Sequence, residues 1–352
     1  MRMKNLALSL FLCSFISCAK ISYLTEQGGG QLKLQWSGEK NQKVLDDPSI
    51  KDEWKQKIRL VEDYKKYFFD FFKMKATDIY SKTSILKDEA VTYLVIASPH
   101  QTIKAHEFSF PIMGSFPYIG FFSESSAEDF AKDLQEDENL VTWVRPVYAY
   151  STLGYIEDRI LSSFFHFNDV ELAELVFHEL FHTIFFIKDD VDLNENLAQY
   201  FAMKMMPTYF GPSEAFLKYQ KVELIKRKIY QKAVEKVTIL NTEFEKLGKQ
   251  LTDQKADEMT AIFSKEILIP ALKQICADEG LSDEDCELKK EWNQARLAAL
   301  MTYEEEQKFI EELHLKLQIG TLEYFKWIKA KYKKFQNQSE IESFTDYLKK
   351  YL

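Results

Sequence analysis

Apolar side chains at Trp54, Ile58, Val61, Tyr64, Phe68 and Phe71 recur at three- and four-residue intervals with lysine and aspartate between them. That spacing predicts an amphipathic helix over residues 49–75 whose aromatic stripe faces the core. The period then shortens. Residues 91–97, 108–122 and 140–144 are β-branched or aromatic runs punctuated by Pro99, Pro111, Gly114, Pro117, Gly120 and Pro146. They predict a small mixed or antiparallel sheet of three to four strands, interrupted by a helix near residues 126–136. Residues 148–155 hold too few long aliphatic side chains for a core strand and read as a loop. Asp169 opens a second strongly apolar helix, with Glu171 and Glu174 in its early turns, where the helix dipole favours carboxylates. Beyond Pro207 and Pro212 the pattern is helical at 213–248, 252–277 and 282–317, followed by two shorter helices that end at Leu352. Glutamate and lysine alternate on their outer faces, as on solvated helical surfaces. The fold class is therefore α+β, predominantly α, with residues 213–290 a helical extension or insertion. Gly28, Gly29 and Gly30 weaken any helix over residues 22–36.

The first residues change the picture of where this fold resides. Arg2 and Lys4 precede an apolar run over residues 6–16, too short to span a bilayer and suited to the central segment of a secretory signal. Residues 1–17 are thus set apart as a signal peptide, and 18–352 form the mature chain. Losing Arg2 and Lys4 takes the formal charge from −9 to −11. So acidic a chain is not matched to nucleic acid, and none is expected as a partner. Cys13 is lost with the signal. Cys276 and Cys286, in an oxidising compartment and separated by a polar segment, are expected to form a disulfide.

The candidate chemistry lies in the helix after Asp169. His178-Glu179-Leu180-Phe181-His182 places two imidazoles one turn apart on one helix face, so that both reach a single metal ion while Glu179 points to its open position. A third ligand is needed. If this helix runs to about Lys188 it rises roughly 9 Å above His182 at 1.5 Å per residue, and a long side chain must return that distance. Glu195, in the first turn of a returning helix, fits better than Asp189, Asp190 or Asp192, which read as turn and cap residues. Ala198 and Ala202 let the two helices approach. The predicted site is one Zn²⁺ held by His178, His182, Glu195 and a water, with Glu179 as general base and a peptide as substrate. A neutral donor for the oxyanion is expected from Tyr150, with Tyr155, Tyr303 and His166 as alternatives. Glu157 and Asp158 are candidate anchors for a free amino terminus, and Asn293 and Arg296, one turn apart, are candidates to face the cleft or to brace the core. His100, His106 and His314 lack patterned neighbours and are expected to be structural.

Two resemblances add to this. Phe15-Ile16-Ser17-Cys18 resembles the lipobox of bacterial lipoproteins, with phenylalanine where leucine is usual, which implies acylation of Cys18, a membrane anchor and an outer-membrane location facing the periplasm. Segments 116–123, 148–155 with Glu157 and Asp158, 176–182 with 194–198, and 293–297 with Tyr303 resemble, in order, the blocks of the zinc aminopeptidase family of bacterial lipoproteins, a gluzincin-like group. The resemblance implies a zincin-like domain in which His178, His182 and Glu195 bind the metal and Glu179 catalyses. It departs twice: Asn194-Glu195 stands closer to the second histidine than in thermolysin-like enzymes, and Gln199 stands where those often carry an aspartate that orients a metal histidine, so another carboxylate or a backbone carbonyl is expected to orient His178 or His182. An edge strand near 116–122 could take an extended peptide. A zinc endopeptidase or cell-wall peptide hydrolase is the alternative within the same chemistry, and a non-catalytic envelope lipoprotein that binds a partner is the alternative outside it.

Overall fold

The computed structural model describes residues 38–86, 90–110, 114–148, 158–188, 190–281, 286, 292–301, 305–337 and 343–352. The chain runs β1 (Glu39–Lys40), α1 (Asn41–Asp46), α2 (Asp52–Phe71), β2 (Lys82–Ser84), β3 (Thr92–Pro99), β4 (Phe108–Phe110), β5 (Gly114–Phe116) and β6 (Ile119–Phe121). It continues through α3 (Glu124–Asp137), β7 (Leu140–Val147) and β8 (Ile160–Leu161) to α4 (Asp169–Ile184), α5 (Val191–Phe210) and α6 (Glu214–Leu247). Then follow α7 (Asp253–Phe263), α8 (Ile269–Asp278), α9 (Gln294–Met301), α10 (Glu305–Leu317), α11 (Thr321–Phe335) and α12 (Phe344–Lys349). The fold is α+β and mostly helical. No helix among the described residues is long and apolar enough to cross a membrane.

The aromatic stripe of α2 goes inside. Ile58, Val61, Tyr64 and Phe68 are buried, and with Phe177, Phe181, Phe201 and Phe325 they form the core that holds α4, α5 and α11 together. Phe181 stacks on Phe201 with ring centroids 4.9 Å apart, which joins α4 to α5. Two side chains of α2 fix the start of α4 through three polar contacts. Lys57 Nζ meets Asp169 Oδ1 at 2.6 Å and the Phe167 carbonyl at 2.8 Å, and the Tyr64 hydroxyl donates to the Asp169 carbonyl.

The strands form small sheets. β3 lies between β6 and β7, antiparallel to both, and β1-β2-β8 forms a second three-stranded sheet in which β2 runs parallel to β8. β4 and β5 pair antiparallel. Strand β7 continues through Pro146, paired with Tyr93, to Val147, beyond the expected end at Arg145. It is an edge strand, where a residue without an N–H can sit with that side facing away from the ladder. The α3 face of the sheet buries Val95, Ala97, Phe121, Ala131 and Leu134.

The later helices make a separate core. Val237, Leu240 and Phe244 of α6 pack with Ala256, Phe263, Leu272 and Leu297, whereas Phe216 and Tyr219 at the other end of α6 belong to the first core. One helix thus bridges both. The helix expected over 252–277 is present as a continuous helical run, α7 to α8, that widens into a π-helical turn at Ser264–Leu268, one residue short of Pro270. Pro270 has no N–H to donate, and its ring disfavours an unbroken α-helical turn before it. The single helix expected over 282–317, part of which lies outside the described residues, is interrupted at Trp292 and Asn293. α9 starts only at Gln294, where Asn293 accepts the Arg296 N–H at 3.0 Å and caps a fresh helix. Cys276 and Cys286 are joined in a disulfide with their Cα atoms 5.9 Å apart.

Candidate metal centre

Helix α4 is started by a capping box. Asn168 accepts the N–H groups of Val170 and Glu171, and Glu171 returns a bond to the Asn168 N–H. The helix ends at Ile184, a full turn before the predicted Lys188. The reason is Asn194, whose side chain accepts the Ile187 N–H at 2.8 Å and donates to the carbonyls of Ile187 and Asp190, both at 2.7 Å. These bonds hold 185–187 out of the helix and satisfy the backbone groups that it would have used. Asp190 then caps α5 by accepting the Leu193 N–H. Glu195 therefore sits in the second turn of α5 and needs no long return path. Ala198 and Ala202 are fully packed beneath it.

The three predicted ligands meet. One ligand atom from each of His178, His182 and Glu195 lies within 4.8 Å of the others, which makes a group able to hold a metal ion. Glu195 Oε2 is 3.1 Å from His178 Nε2, Glu195 Oε1 is 3.5 Å from His182 Nε2, and the two Nε2 atoms are 3.2 Å apart. The donor chemistry fits a metal with one open position, since two imidazoles and one carboxylate converge from two packed helices. The electrostatics show the same convergence. Burial works to raise the Glu195 carboxyl, but hydrogen bonds from His178 and His182 hold it well below the ordinary carboxylate range. Burial works to lower His178, and the Glu195 bond with the charges of Glu179 and Glu195 outweighs it, leaving His178 raised.

Glu179 follows His178 on α4. Burial pushes its carboxyl up; the two histidines oppose this, and the charges of Glu195 and Asp158 add to it. Asp158, buried beside β8, is thus within the field of Glu179. Tyr80, which no sequence pattern marks, shares that field. Its backbone N–H donates to the Asp158 carbonyl at 2.8 Å, its own carbonyl accepts from Asn41, and its ring meets Phe164 edge-on. Its φ of 57° is left-handed, an uncommon conformation for a bulky residue and one held here by both neighbours. Burial, with the charges of Glu179 and Asp158, keeps its hydroxyl protonated well above its usual range.

Where a carboxylate or backbone carbonyl is expected beside one of the two histidines, the neighbour at His178 is instead Gln199, its Oε1 lying 3.3 Å from Nδ1. Gln199 stands one turn beyond Glu195 on α5, so its amide reaches the same face as the ligand. Glu174, read from the sequence as an early-turn acid, instead packs inward and accepts from Gln199 Nε2 at 2.5 Å. His182 Nδ1 is buried with no hydrogen-bond partner among the described residues.

Other candidates are dispersed. Asn293 donates to the Thr142 carbonyl, and the Arg296 guanidinium lies over the rings of Trp143 and Trp292, 5.1 and 4.4 Å from their centroids. Arg296, Trp143 and Trp292, with Pro117, Tyr118 and Arg145, line a cavity of about 210 Å³ between α9 and the sheet. His166 is exposed at the end of a 3₁₀ turn. His314 bridges the Tyr200 hydroxyl and the Ile319 carbonyl, a structural role. Tyr150, Tyr155, Glu157, Tyr303, Cys18 and the glycine triplet at 28–30 lie outside the described residues.

A family model described as "Putative aminopeptidase" matches residues 22–343, nearly the whole chain. No curated protein and no solved structure gives a significant match. With a family model spanning the sheet, the histidine helix and the later helices alike, the chain belongs to the putative aminopeptidase family.

Proposed function

We propose that this chain is a zinc aminopeptidase with a zincin-like centre, in which His178, His182 and Glu195 hold one Zn²⁺. The observation that carries the reading is the convergence of those three donors from α4 and α5, with Glu179 adjacent to the first of them in the chain. Bound zinc would supply Lewis acidity to the scissile carbonyl and acidify a water at the open position.

The chain's own groups do the rest. Glu179, its carboxyl raised by burial, takes a proton from the attacking water and delivers it to the leaving amine, a role for which a carboxylate of raised pKa is suited. Asp158, with Glu157 beside it in sequence, holds the free ammonium group of the substrate, which limits cleavage to the amino end. Tyr150 donates to the oxyanion from the loop that precedes them, and Tyr80 keeps a protonated hydroxyl in the field of Glu179. Strand β6 is a sheet edge and can align an extended peptide by backbone pairing. Cleavage of the signal and acylation of Cys18 would tether the enzyme to the outer membrane on its periplasmic side.

The test is digestion of a peptide library by the mature protein with and without a chelator, read by mass spectrometry. Loss of one residue at a time from amino termini, abolished by chelation and restored by Zn²⁺, is expected. Internal cuts would replace this reading with an endopeptidase, and absence of cleavage would replace it with a binding lipoprotein.

A further inference from the structure

A neutral imidazole carries its proton on either ring nitrogen, and only the form protonated at Nδ1 leaves the Nε2 lone pair for a metal. Something must select it. In His178 the neighbour at Nδ1 is an amide, and an amide alone does not decide. If Gln199 turned its NH₂ toward His178, Nδ1 would have to accept and the proton would sit on Nε2, facing Glu195 and blocking the metal.

Glu174 removes that ambiguity. A Glu174 carboxyl oxygen accepts from Gln199 Nε2 at 2.5 Å, which places the NH₂ on the Glu174 side and the carbonyl oxygen on the His178 side. The spacing makes this possible: Glu174 is one turn before His178 on α4, Gln199 one turn after Glu195 on α5, and these helices are packed through Phe181 and Phe201. A third helix completes the arrangement. Tyr219 of α6 is close enough to act on the Glu174 carboxyl, and its hydroxyl donates to the Met203 sulfur of α5 at 3.4 Å. Burial pushes the Glu174 carboxyl up, the Gln199 bond opposes it, and Glu223 and Lys226 of α6 act on it with opposite sign.

We infer that Glu174 is a positioning residue for the metal centre, which acts through the Gln199 amide to hold His178 in its metal-binding tautomer. The inference rests on the metal reading above and deepens it. The usual single orienting carboxylate is here displaced outward by one side chain, with an amide between it and the histidine. Removing an orienting partner of a metal histidine typically weakens metal affinity by about 10- to 100-fold.

The experiment measures Zn²⁺ affinity by competition with a chromophoric chelator, together with the thermal midpoint of the metal-free protein. Gln199→Met, of similar length without an acceptor, is expected to bind Zn²⁺ about 10- to 100-fold more weakly than wild type. Glu174→Gln, which leaves both amides free to turn, is expected to weaken binding in the same direction. The exchanged pair, Glu174→Gln with Gln199→Glu, places the carboxylate directly on His178 Nδ1 and is expected to recover wild-type affinity or better. Recovery in the exchanged pair excludes misfolding as the cause of the single losses. Wild-type affinity in Gln199→Met and Glu174→Gln would overturn the inference while leaving the metal site intact. A wild-type protein that binds no Zn²⁺ would instead overturn the metal reading, and the inference with it.

Discussion

The packed pair α4 and α5 and the joint between α9 and the sheet use the same kinds of residue to opposite ends. In α4 and α5 the polar side chains turn inward and converge: His178, His182 and Glu195 share one point, and Gln199 and Glu174 stand behind them. At the joint, Asn293 and Arg296 are engaged one by one. Asn293 caps α9 and ties it to the Thr142 carbonyl, and the Arg296 guanidinium covers two indole rings. Buried groups that attract one another without a mutual fit are costly unless a ligand uses them. Groups that each satisfy a separate partner brace a structure. Convergence, rather than the polarity of a motif, marks the chemistry here.

Substitutions at the two regions should therefore separate sharply. Glu179→Gln removes the proposed proton acceptor and keeps the proposed metal ligands, so kcat should fall by about 10²- to 10⁴-fold with zinc content unchanged. An active Glu179→Gln protein would break the comparison at once. Phe181→Ala takes out the ring that stacks between α4 and α5; a buried phenylalanine replaced by alanine costs about 3–5 kcal/mol, to be read as a lowered denaturation midpoint with zinc affinity falling alongside. At the end of α8, Cys276→Ser with Cys286→Ser opens a loop of ten-residue separation and should cost roughly 2–3 kcal/mol while leaving zinc affinity as it was. The smallest effect belongs to the joint. Asn293→Ala should lose about 1 kcal/mol for the missing cap, and an accompanying loss of zinc would show that the two regions are not independent.

Periodicity made much of this legible. The stripe from Trp54 to Phe71 gave α2 within a few residues, and the one-turn spacing of His178 and His182 put both on the face that the structure shows. Glu195 was legible because its side chain is long and two alanines follow it at helical intervals. What escaped the sequence depends on contacts between segments. Nothing local to 185–188 says that Asn194 will bond back to Ile187 and end α4 early. An acid at position 174 looks like a dipole partner until Gln199 of another helix is seen against it. Tyr80 lies in a connection without period, and its left-handed backbone is held by Asn41 and Asp158, far apart in the chain. The break before α9 was hidden by helix-forming residues over 282–317, which resemble a continuous helix when capping by Asn293 is ignored.

The central claim is that α4 and α5 form one metal centre, and the most direct measurement of it is the zinc content of the purified mature protein by elemental analysis, alongside His178→Ala/His182→Ala. One zinc per chain in the wild type and none in the double variant is the predicted result. No zinc in the wild type, or the same content in both proteins, would contradict it.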